Sequence, residues 1–131
     1  MSFRLPRSTY HFDVPDGKPL LSADEITKRV STAFPVVFID RIGGRRHAQM
    51  VLDKLETLDP PANVLETARS GVLTAVNIQI SNDAMDREPL IVMTPTDGDT
   101  PTVLVRTDEN SGGYELLERL AELLDYEILP D

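Results

Sequence analysis

The amino-acid sequence predicts a single α+β domain spanning residues 1–131, and three observations carry that reading. Apolar residues recur at helical spacing in well-separated segments. Other segments alternate or run apolar as strands do. After residue 72 the strand-like runs follow one another at short spacing, the pattern of an antiparallel meander rather than of repeated crossovers. At 131 residues and 14.6 kDa, with 40% hydrophobic residues, the chain is the size of one domain with one core. The expected architecture is a mixed, mostly antiparallel sheet of three to five strands, with two long helices and one short helix packed on it. Residues 1–8 are expected to form a flexible N-terminal arm.

The elements are justified in chain order. "STYHFDV" alternates, with Tyr10, Phe12 and Val14 on one side and His11 and Asp13 on the other, so a half-buried strand is expected. "PDGKP" breaks it as a turn. "SADE" is a capping box, in which Ser22 accepts from the Glu25 amide and Glu25 reaches back to Ser22. Ile26, Val30 and Ala33 or Phe34 then form a helical stripe that must stop before Pro35. The apolar run "VVFI" (36–39) suits a central strand covered on both faces. After Gly43 and Gly44, the residues Ala48, Val51, Leu52, Leu55 and Leu58 mark an amphipathic helix closed by Pro60 and Pro61. Asn63 with Glu66 caps a short helix, and Gly71 stands where a terminating glycine would. "VLTAVNIQIS" (72–81) reads as an antiparallel strand, followed by "PLIVM" and "TVLVRT" around an Asp97-Gly98 turn. "YELLERLAELLDY" is a helix with Leu116, Leu117, Leu120, Leu123 and Leu124 inward, and "EIL" a short closing strand. The predicted order is β-α-β-α-(α)-β-β-β-α-(β), with a right-handed crossover favoured in its alternating first half.

Composition narrows the function classes. The net charge of −9 argues against nucleic acid or an anionic membrane as partner. Residues 1–54 hold nine Lys/Arg against six Asp/Glu, a net of +3, and residues 55–131 four against sixteen, a net of −12. The absence of cysteine removes disulfides, thiolate metal sites and cysteine nucleophiles, and suits a reducing cytosol. "MSFRLPRSTYHF" lacks the apolar core of a signal peptide, and no apolar run approaches the length of a membrane span. A soluble cytoplasmic protein is expected, with no cofactor.

Candidate chemistry is sparse. In "FIDRIGGRRH" a helix beginning near Gly44 or Arg45 would offer free amides, and Gly43, Gly44, Arg45, Arg46 and His47 would form an anion-binding helix start. Basic residues sit unfavourably at that end of the helix dipole, which an anionic ligand, or Asp40 itself, would offset. The segment matches no phosphate-loop pattern. His11 and Asp13 share the polar side of the first strand, but no third metal ligand stands at a recognised spacing, so no metal site is expected. Asp83, Asp86 and Glu88 form one acidic loop and Asp97 with Asp99 another, at opposite ends of the middle strand. No serine lies in a nucleophile elbow, and no catalytic residue is assigned. Glu115, Glu118 and Glu122 make an acidic stripe with Arg119 its only basic neighbour, suited to a basic protein. Three classes follow. The first is a non-catalytic protein-interaction or regulatory module with an acidic C-terminal half. The second is a small enzyme or ligand-binding protein holding a phosphate or carboxylate at Gly43–His47. The third is a self-assembling subunit, hence a homo-oligomer.

Overall fold

A computed structural model describes residues 7–82, 88–106 and 112–129. Within them lie seven strands and four helices: β1 (Arg7–Tyr10), β2 (Phe12–Asp13), α1 (Ala23–Ala33), β3 (Val36–Asp40), α2 (Arg41–Glu56), α3 (Ala62–Thr74), β4 (Asn77–Ser81), β5 (Ile91–Met93), β6 (Val103–Arg106), α4 (Gly113–Leu124) and β7 (Glu127–Ile128). Five strands form one sheet in the order β1-β6-β5-β4-β3, and β2 pairs with β7 in a second. Every described pairing is antiparallel. The α+β class and the meander β4-β5-β6 are as the sequence predicts. A crossover is present in the first half as well, but a wide one: α1 carries the chain from one edge of the sheet to the other, and the parallel strands β1 and β3 are separated by the whole meander.

Alternation decides the core. Ile78 and Ile80 of β4, Ile91 and Met93 of β5, and Val103 and Val105 of β6 all point to one face and are buried. Helices α1 and α4 cover that face, contributing Ile26, Val30, Leu116, Leu117, Leu120 and Leu124. Each such side chain contributes about 1.5–3 kcal/mol by leaving water. Phe12, Val14 and Tyr126 close one end, with the Phe12 and Tyr126 rings 5.8 Å apart. The Tyr126 hydroxyl accepts from the buried Leu21 amide at 2.8 Å, tying the chain before α1 to the chain after α4.

Several expected boundaries shift. "STYHFDV" is not one strand: it breaks at His11, where the chain leaves the large sheet for the small one. Arg7 and Ser8, expected in the arm, pair with Arg106 and Val105. Ser22 caps α1 as predicted, accepting from Glu25 N at 3.1 Å, but the Glu25 carboxylate holds Arg29 at 3.0 Å instead of reaching back. The second cap at that end comes from afar, with Asp97 accepting from Ala23 N at 2.8 Å. Residues 72–74 continue α3 rather than start β4, so α3 is a 13-residue helix and Gly71 lies inside it. Among the described residues the helices are four, as many as the predicted order holds, but at 11 to 16 residues none of them is short. The run 36–39 is an edge strand, not a central one. No helix among the described residues is long and apolar enough to cross a membrane.

Candidate binding groove

The second face of the sheet has no counterpart to α1 and α4. Instead, the link between the paired strands β3 and β4 is itself a helical hairpin, α2 and α3, packed against each other. It is seated by two glycines, one against the start of β4 and one against the loop after β5. A Cβ on Gly44 would lie 2.5 Å from Asn77 N and 2.7 Å from Val76 C, so only glycine lets α2 approach the start of β4 this closely. Gly71 lies against the Thr96 side chain. Beyond these seats α2 buries only Leu52, and α3 no other residue. Arg69 and Glu56 link the two helices at 3.7 Å.

Between the hairpin and the sheet runs a groove of about 830 Å³. Ala48, Val51 and Leu55 of α2 and Val64 and Ala68 of α3 form one wall, and Val92 and Leu104 stand on the sheet side. Val51, Val64 and Leu104 are 50%, 40% and 40% exposed, apolar groups with room beside them. Polar groups stand beside them: Asn77 donates to Thr94 Oγ at 3.2 Å, and Thr9, Thr96, Thr100 and Thr102 also line the groove. Among the described residues, the charged or titratable lining is His47 and Asp99. The helical stripe Ala48-Val51-Leu55, read from sequence as a core face, is in fact this wall, and Leu58 from the same stripe is 74% exposed. Periodicity was the available signal; nothing local distinguishes a wall facing a groove from one facing a core. The threonines of 94–102 carried no signal.

The Gly43–His47 segment lies elsewhere in its helix than expected. The α2 helix begins at Arg41, so Gly43 and Gly44 are inside it, and the Asp40 carboxylate caps it, accepting from Gly43 N at 2.8 Å. An acidic side chain thus occupies the place an anion would take. Arg45, Arg46 and His47 are consecutive on a helix, about 100° apart around its axis, and only His47 lines the groove. His11 and Asp13 are exposed, with His11 Nδ1 3.4 Å from Thr102 Oγ. Among the described residues no group of three or more His, Asp or Glu is placed to hold a metal. Asp83 and Asp86 lie outside the described residues, Glu88 pairs with Arg7 at 3.1 Å, and Asp97 is engaged by α1. On α4, Glu115, Glu118 and Glu122 are exposed as a stripe, while Arg119 turns its guanidinium over the Phe34 ring at 5.3 Å. That stripe lies on the opposite side of the sheet from the groove. No family model matches this chain, and neither the curated proteins nor the solved structures yield a match.

Proposed function

We propose that this protein is a non-catalytic interaction module that receives an extended segment of a partner protein in the groove between the α2–α3 hairpin and the sheet. One observation carries the reading: an open groove of about 830 Å³ lined by half-exposed valine and leucine side chains together with threonines and Asn77. A cleft of that volume is in the range of binding sites. Its apolar lining suits apolar side chains, and its threonines and Asn77 offer hydroxyls and an amide to the backbone of an extended chain. The partner segment is basic outside the groove, because the molecule it approaches carries a net charge of −9. The Glu115-Glu118-Glu122 stripe contributes to that field and raises the rate of encounter more than the strength of the final contact. A cysteine-free chain suits the reducing cytoplasm, the compartment this reading assigns to it.

The test is selection of binders from a library of random displayed peptides, followed by titration of the selected peptides with purified variants. Apolar segments flanked by Lys or Arg are expected. Val51→Asp and Leu104→Asp should each weaken binding by more than tenfold without loss of helical circular dichroism. Charge reversal of Glu115, Glu118 and Glu122 to Lys should instead slow association and flatten its dependence on salt. Peptides that bind Val51→Asp and Leu104→Asp as tightly as the native protein would show that the groove is not the binding surface.

A further inference from the structure

The two edges of the five-stranded sheet are built differently. The β1 edge carries Arg7, Ser8 and Thr9. The β3 edge carries Val36, Val37, Phe38 and Ile39 with no charge, proline or glycine among them, and among the described residues no strand pairs with its outer side. Phe38 is 59% exposed and Ile39 36%, and Ile42, in the first turn of α2 just beyond, is 68% exposed. An uncharged apolar edge is a template for another strand, and proteins that remain monomeric blunt such edges with charge, proline or a cover. The one charge of β3 is Asp40 at its last position, held by the helix that follows, and Val36 to Ile39 carry neither charge nor proline.

We infer that the β3 edge is the pairing edge of a two-fold dimer, in which β3 adds antiparallel to β3 of a second copy and fuses two five-stranded sheets into one. The strand is complementary to itself about Phe38. With the axis there, Phe38 faces its own copy, Val37 faces Ile39, and Val36 faces Asp40. The central Phe38 and Val37–Ile39 pairs are aromatic and β-branched, the favourable kinds, the outer Val36–Asp40 pair is neutral in this respect, and no like charges are opposed. Asp40 brings no free carboxylate to the seam, since it is held by the Gly43 amide of its own helix. Moving the axis by one residue in either direction draws Pro35 or the first residues of α2 into the ladder, so Phe38 alone allows all five residues to pair.

The same two-fold sets the direction of the flanking helices. Arg41, just after β3, bonds Asp24 in the first turn of α1 at 3.3 Å, while the last turn of α1 leads through Phe34 and Pro35 into the start of β3. The helix therefore runs antiparallel to β3, and a two-fold about Phe38 sets the two α1 helices antiparallel. A two-fold contact of this kind closes on itself and produces dimers, not filaments.

The experiment is a dilution series by light scattering and sedimentation on the native chain and three single variants. The native protein should show twice 14.6 kDa, falling toward 14.6 kDa on dilution. Phe38→Lys, at an exposed position, should be monomeric with unchanged circular dichroism, because it sets two ammonium groups on the axis. Val51→Lys, in the groove, should remain dimeric, which separates this inference from the groove reading. The chain has no cysteine, so Phe38→Cys gives a second readout that does not depend on tolerance of lysine: mild oxidation should link it to a covalent dimer, whereas Leu73→Cys, at a 75% exposed site, should not link. A native mass of 14.6 kDa at every concentration overturns the inference. So do a dimer that survives Phe38→Lys, open-ended polymers, or equal cross-linking of the two cysteine variants.

Discussion

The seat of α2 on β4 can be tested at a single atom. Glycine inside a helix costs about 1 kcal/mol relative to alanine, so helix propensity alone predicts that Gly44→Ala stabilises the protein. The structure predicts the reverse. A Cβ at residue 44 would stand 2.5 Å from Asn77 N and 2.7 Å from both Val76 C and Val76 Cα. All three are backbone atoms at the entry to a central sheet strand, and they cannot turn aside as a side-chain end could. Overpacking of this kind costs about 1–3 kcal/mol and more where backbone must move. Set against the propensity gain, Gly44→Ala should lose about 1–2 kcal/mol net, a fall in Tm of roughly 3–8 °C for a domain of this size. Two further glycines of the hairpin serve as controls. Gly71→Ala meets only the Thr96 side chain, nearest at 3.1 Å, and should stay within about 1 kcal/mol of native because that neighbour can yield a few tenths of an ångström. Gly43→Ala meets the Asp40 carboxylate, so its propensity gain of about 1 kcal/mol is offset by a disturbed cap of similar worth. Urea denaturation followed by circular dichroism measures all three. Gly44→Ala as stable as the native protein, or more so, would show that α2 is not held against β4, and the groove would lose one of its walls. Peptides selected on the native protein should also bind Gly44→Ala more weakly, since lifting α2 displaces Ala48, Val51 and Leu55 together.

Two other substitutions probe the frame around the groove. Tyr126→Phe keeps the ring packed on Phe12 but strands the buried Leu21 amide, and should cost about 1–3 kcal/mol in urea denaturation; an unchanged midpoint would mean that water or another acceptor serves that amide. Asp40→Ala removes the α2 cap and should cost about 1 kcal/mol, yet the vacated helix start should then gain more stability from sulfate or phosphate in a thermal-shift assay than the native protein does. Equal gains in both would show that the native Gly43–His47 turn binds anions with Asp40 in place.

By itself the sequence determined the elements whose signals are local. The α1 cap at Ser22, the stop before Pro35, the leucine face of α4, the turn at Asp97-Gly98 and the alternation of β4 and β6 all depend on neighbours within a few residues, where capping geometry, proline sterics and side-chain period act. The α+β class follows from their order. Only the tertiary structure decided what each apolar face meets. The run 36–39 carries the composition of a central strand yet lies at the edge, because strand order depends on which segments meet across the whole chain. The stripe of α2 has the period of a core helix yet lines a groove, because residues 62–74 fold back as a second helix and Gly44 fits the backbone at Val76 and Asn77. Asp40 was legible as a charge beside a helix start, but its role as cap required knowing that α2 begins at Arg41. Hydrophobic burial is non-directional and records only that a face is apolar; whether that face is covered by this chain or left for another depends on contacts distant in sequence.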